Sequence, residues 1–227
     1  MRNLNNVREY IFNSEGTIHN GYFTSARFDK YPVPRLDRAK EQAELKPASI
    51  DTIIKLTNKF LLMCGISCVK EPRVDSPKGK LKDSKAFYEQ IMRNYKLNDK
   101  RDIVWMKFSD DGFLGVVASS IDINFLLPIS TADYAKTNDG KPKSENNDWI
   151  FNNSGIIIHR LDKKWCEDYL LVFPLSIIPD ELTRSHIECG IGNFLIANNV
   201  PLLDYYSHRF QPYFYQKRIV YTSLQPM

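Results

Sequence analysis

The residues best suited to chemistry fall into three groups. The first is Asp148 with Asp162-Lys163-Lys164, two carboxylates followed by a lysine two positions beyond the second. Ile156-Ile157-Ile158-His159-Arg160-Leu161 reads as a β-strand, which puts Asp162-x-Lys164 at a strand end and Asp148 at a distance suited to the neighbouring strand. The same Leu161–Lys164 stretch also fits a turn between two strands of a hairpin. The second group is His186-Ile187-Glu188 with Asp204 and His208. On a helix, His186 and Glu188 splay by roughly 200° and do not co-ligate a metal. Glu188, Asp204 and His208 could still meet in space, either as a carboxylate–histidine pair for acid–base work or as a hydrogen-bonded corner. The third group is cationic: Arg73, Lys78, Lys80, Lys82 and Lys85 around the 70–83 segment, with Arg35 and Arg38 upstream beside Tyr31. Lysines and arginines on a loop can track a phosphate backbone while an aromatic ring stacks on a base. A solvated loop has the same composition.

The Asp148 … Asp162-x-Lys164 pattern resembles the signature of metal-dependent nucleases of the PD-(D/E)xK type, over a small fraction of the chain. It departs from that signature in that Asn147, not proline, precedes Asp148. The resemblance implies Mg²⁺ held by Asp148 and Asp162 as metal ligands. Lys164 would orient the attacking water, and the three together would form the catalytic set.

Other chemistries find no counterpart. Cys189-Gly190-Ile191-Gly192-Asn193 has a Gly-x-Gly but lacks the third glycine and lies within a helical pattern, so it is no dinucleotide fingerprint. Phosphate-loop, Gly-x-Ser-x-Gly and zinc-deaminase patterns are missing. Cys64, Cys68, Cys166 and Cys189 are too sparse for a disulfide framework, and Cys64-x3-Cys68 lacks zinc-knuckle spacing.

These residues need elements to hold them. A short helix is expected around Val7–Phe12, and another from Asp37 to about Lys46. The best helix of the first half begins after Ser49, with Ile50, Ile53, Ile54, Thr57, Phe60 and Leu61 at helical spacing and Gly65 ending it. Ile66–Val69 reads as a short strand, and Ser84 as the cap of a helix burying Phe87, Ile91 and Tyr95. From Asp102 the period becomes two. Asp102–Phe108 and Phe113–Ser119 flank Asp111-Gly112, a hairpin signal, and Ile121–Ile129, Trp149–Phe151, Ile156–Leu161 and Tyr169–Phe173 follow as strands. Pro179 opens a helix with Leu182, Ile187, Ile191, Phe194 and Leu195 as its buried stripe, and Leu202–Tyr206 and Tyr213–Thr222 read as closing strands. The expected architecture is one α+β domain over residues 1–227, a mainly antiparallel sheet with helices packed on one side. A basic helical layer covers about 26–101, and the sheet-rich part about 102–227.

Charge follows the same division. Residues 26–101 carry 18 Lys+Arg and 10 Asp+Glu, residues 102–227 carry 11 and 15, and the whole chain is +4. Such segregation is expected if one surface meets a polyanion, although a solvated helical layer gives it too. No stretch is long enough for a membrane span, and Met1–Asn6 opens no secretory signal, so the expected compartment is the cytoplasm. Two functions fit: a protein acting on DNA or RNA, in its enzymatic form a Mg²⁺-dependent nuclease, or a non-enzymatic accessory or inhibitory protein that binds a protein partner. The second would use a tyrosine patch of Tyr205, Tyr206, Tyr213 and Tyr215.

Overall fold

A computed structural model describes residues 5–11, 23–24, 36–75, 92–122, 150–151, 153–166 and 168–204. At its centre is a four-stranded antiparallel sheet in the order β2 (Arg73–Asp75), β6 (Tyr169–Pro174), β3 (Ile103–Phe108), β4 (Leu114–Ser120). A separate two-stranded ladder pairs β1 (Phe23–Thr24) with β5 (Ile150–Phe151). The chain is α+β, and no helix among the described residues is long and apolar enough to cross a membrane.

The β3–β4 hairpin forms where Asp111-Gly112 announces it. Gly112 adopts φ 91°, a left-handed value that glycine takes without a Cβ clash. Ser109 closes the turn, receiving the Phe113 N–H on its hydroxyl oxygen at 3.0 Å and donating to Asp111 Oδ1 at 2.6 Å. Period-two alternation then assigns the faces. Val104, Met106 and Phe108 of β3, with Leu171 and Phe173 of β6, belong to the main core. That core is completed by α1 (Asn5–Ile11), α3 (Ile50–Met63) and α5 (Arg184–Ala197), the helical layer expected on one side of the sheet. The opposite face is also covered in part. There Val116 and Trp165 pack with Ile157 and Ile158 of α4 (Asn153–Arg160) and Ala39 of α2 (Leu36–Ala43).

Helix α3 has the termini its sequence announces. Ser49 Oγ accepts the Thr52 N–H at 3.2 Å, and Gly65, at φ 76°, follows the Cys64 cap. The Gly65 and Ile66 amides return to Leu62 and Leu61 carbonyls, closing a Schellman turn. Gly190 permits the close approach of α5 to α3, because a Cβ there would stand 2.3 Å from Phe60 Cζ. Close contact with neighbouring helices thus offsets its low helix propensity.

Several expectations need correction. The 70–83 stretch is not loop throughout, since Arg73–Asp75 form the edge strand β2. Ile156–Leu161 is not a strand: residues 153–160 form α4, which buries Ile157 and Ile158 in the second core. Ile66–Val69 makes no ladder, since the Asn58 side chain takes the strand partner's place, bonding the Val69 carbonyl at 2.9 Å and its amide at 2.8 Å. The last helix begins at Arg184, not Pro179. Thr183 and His186 form a reciprocal capping box there, whereas Pro179–Leu182 close only a turn. β4 ends at Ser120 and the chain bends at Ile121, so no strand starts there. Expectations for Ser84–Ile91, 123–129 and 205–227 lie outside the described residues.

Candidate functional site

Asp162 and Lys164 sit at the C-terminal end of α4, not at a strand end. Asp162 has φ 54°, and the Lys163 amide returns to the Ile158 carbonyl at 3.0 Å, so Asp162 is the left-handed residue that terminates the helix. Both Asp162 and Lys164 are exposed. The chain then runs beside the β3–β4 hairpin, with Asp110 N–H to Lys164 O at 2.9 Å and Cys166 N–H to Phe108 O at 2.8 Å. It is the intervening Lys163 that finds a carboxylate, pairing with Asp111 while its ammonium stands 4.5 Å from the Phe113 ring centre. Burial works to raise the Asp111 carboxyl, but its bonds from Lys163 and Ser109 prevail and hold it below the usual range. Asp148 lies outside the described residues, as do Arg35, Lys78, Lys80, Lys82 and the tyrosines of the proposed patch. Among the described residues no three His, Cys, Asp or Glu side chains cluster as a metal site.

Of the cationic group, Arg38 lies half-buried on α2 with an interaction partner. Arg73 lies exposed on edge strand β2, its guanidinium 4.4 Å from the Tyr169 ring centre and its Nε 2.7 Å from Asp75 Oδ1. That hydrogen bond, donated to Asp75, is the main cause raising the Arg73 pKa further. The Asp75 amide donates to Tyr95 Oη at 2.8 Å, which ties residues 75 and 95 together across the intervening basic segment. Lys70, Lys96, Lys100 and Arg101 are exposed, Arg101 with its guanidinium 3.9 Å from Asp122 past the end of β4, and Val74, Leu97, Ile103 and Leu170 form a small core.

The second sequence group converges in part. Glu188, on the second turn of α5, accepts from Ser119 Oγ of β4 at 2.6 Å. Burial, reinforced by the charge of Asp204, pushes the Glu188 carboxyl up to about 7 against the opposing Ser119 bond and Arg184 charge. Asp204 is only 1% exposed, and its amide is held by the Gly115 carbonyl at 2.9 Å as residues 202–204 run along the start of β4. One turn before Glu188, Arg184 donates to Asp102 Oδ1 at 2.6 Å. His186 is spent on the helix cap, and His208 lies outside the described residues. Sequence reasoning paired Glu188 with Asp204 but missed Ser119, Arg184 and Asp102, which no local spacing connects.

Lys107 was missed as well. It is 5% exposed, its Nζ 5.9 Å from the ring centres of both Trp105 and Trp165, and it makes no hydrogen bond among the described residues. Burial lowers its pKa to about 8. The available signal was a lysine in the otherwise apolar strand Ile103–Phe108, two positions from Trp105 and therefore on the same face. Comparisons with models of known protein families, with curated proteins and with solved structures find no match to this chain.

Proposed function

We propose that this protein binds nucleic acid through the basic face that starts at β2. The observation carrying this reading is the concentration of cations along the sequence from Lys70 to Arg101, which includes the edge strand β2. Residues 70–101 hold ten Lys+Arg against five Asp+Glu, a surplus of five that exceeds the +4 of the whole chain. Lys70, Arg73, Lys96, Lys100 and Arg101 are exposed there, and Arg73 lies over Tyr169 in an arrangement suited to meeting both a phosphate and a base. The Asp75 amide and the Tyr95 hydroxyl, which lie on either side of Lys78, Lys80 and Lys82 in sequence, are hydrogen-bonded to each other.

Binding of this kind depends steeply on salt. With about five phosphates neutralised, log K should fall with log salt with a slope near −4.5 on duplex DNA. Fluorescence anisotropy with labelled single-stranded DNA, single-stranded RNA and duplex DNA from 50 to 200 mM salt tests this. The triple substitution Lys96→Glu, Lys100→Glu, Arg101→Glu should weaken binding and flatten the slope by roughly two to three units. Binding that ignores both salt and these substitutions refutes the reading. The nuclease form of the function adds a second arm: cleavage in Mg²⁺ or Mn²⁺ that is lost in Asp162→Ala and Lys164→Ala. Cleavage unchanged in Asp162→Ala removes that form and leaves binding to stand or fall alone.

A further inference from the structure

Arg73 is an exposed cation whose guanidinium is fixed from two sides. Its Nε donates to Asp75 Oδ1 at 2.7 Å, and the guanidinium carbon stands 4.4 Å from the Tyr169 ring centre. Asp75 lies opposite Tyr169 in the β2–β6 ladder, and its amide is bonded to Tyr95 Oη, so the accepting carboxylate is carried by a secured stretch of backbone. Tyr169 in turn packs against the buried Phe108, with ring centres 5.2 Å apart. Phe108, Tyr169 and Arg73 thus form a row of flat groups in successive contact, running from the core to the sheet edge. Its outermost member is open, since 48% of the Arg73 side chain still meets solvent.

We propose that Arg73 is a stacking platform for an unpaired base, and hence that the nucleic acid bound by this protein is single-stranded. This rests on the nucleic-acid reading above and adds the class of substrate to it. An arginine that serves a phosphate works best with its charge unopposed. Asp75 opposes the charge of Arg73 at 2.7 Å, so the pair is close to neutral and attracts a phosphate only weakly. A guanidinium also offers a flat face, and stacking on a base draws on that face. Holding the plane in place before binding removes part of the side-chain ordering cost that a mobile arginine incurs. In a duplex both faces of a base are covered by its neighbours. Only a base outside a helix can extend the row beyond Arg73.

The place of Arg73 in the sheet supports access. The Pro72 carbonyl accepts the Val172 N–H at 2.7 Å, so residues 72 and 74 turn their backbone groups towards β6 and Arg73 turns its own off the sheet. Among the described residues no strand follows β2 on that side. A base arriving at the guanidinium therefore meets an open edge.

The test is fluorescence anisotropy of the full chain with three labelled probes of equal length: a single-stranded DNA, the same strand with abasic sites in place of its bases, and the blunt duplex. The abasic strand keeps the phosphates and lacks the stacking faces. Wild-type protein should bind the intact single strand about tenfold more tightly than the abasic one, the worth of one stacked base, and more tightly than the duplex. Arg73→Lys keeps the charge and loses the plane. It should lower affinity for the intact strand to that for the abasic strand, with the salt slope retained. Equal binding of intact and abasic strands by wild type, or tighter binding of the duplex, overturns the inference while salt-dependent binding keeps the basic face, and neither comparison depends on a variant folding. A loss in Arg73→Lys that is as large on the abasic strand shows that Arg73 meets phosphate, and overturns it too. Binding to none of the three probes removes the nucleic-acid reading and this inference with it.

Discussion

Replacing Lys107 by methionine should make this protein more stable, although it removes a buried side chain's only polar group. The Lys107 ammonium lies between two indole rings with no hydrogen-bond partner among the described residues, and burial lowers its pKa from 10.5 to about 8. Below pH 8 both folded and unfolded chains carry the proton, and the whole penalty of holding it inside is present. Between pH 8 and 10.5 the unfolded chain binds more protons than the folded one, so stability rises with pH; above 10.5 the penalty is gone. A shift of about 2.5 units corresponds to roughly 3 kcal/mol, and the two indole faces return about 1 kcal/mol of that. Methionine fills nearly the same volume without the charge. Lys107→Met should therefore gain about 2 kcal/mol at pH 7, a gain that shrinks towards zero at pH 10.5. Urea denaturation of both proteins at pH 7, 9 and 10.5 measures it, and taking the difference removes other groups that titrate in this range. A variant less stable than wild type at pH 7, or a difference that does not change with pH, shows that the ammonium has a favourable partner and the reasoning is wrong.

Gly190→Ala should lose about 2 kcal/mol, read as a lower Tm, because its Cβ meets Phe60 at 2.3 Å between two packed helices. Asn58→Ala should lose about 1 to 2 kcal/mol and speed hydrogen exchange at the Val69 amide, whose acceptor it deletes. A Val69 amide that stays equally protected would show that another group holds residues 66–69.

Helix α3 and the β3–β4 hairpin were legible in the sequence because their signals are local. Ser49 caps through an amide three residues on, Gly65 relieves a left-handed strain at one position, and Asp111-Gly112 makes its turn within four residues. The antiparallel sheet and its main helical layer followed from periodicity, which records what each face buries. Ile156-Ile157-Ile158 failed for the opposite reason. Three β-branched residues read as strand, but packing Ile157 and Ile158 against Ala39 and Val116 favoured the helix, and Asp162 takes φ 54° to end it. Asn58 standing in for a strand and Thr183 taking the cap from Pro179 are likewise choices between short-range options settled by neighbours.

The candidate sites divide in the same way. The sequence alone determined the chain's excess of cations between residues 70 and 101, its apolar periodicities and its turn chemistry, since these depend on residue type and on contacts a few positions away. Only the tertiary structure decided that Ser119 reaches Glu188, that Asp204 stands near that carboxylate, and that Lys107 is enclosed by Trp105 and Trp165. Proton affinity depends on what surrounds a group once water has been displaced, and for Glu188 those surroundings come from chain segments remote from it in sequence.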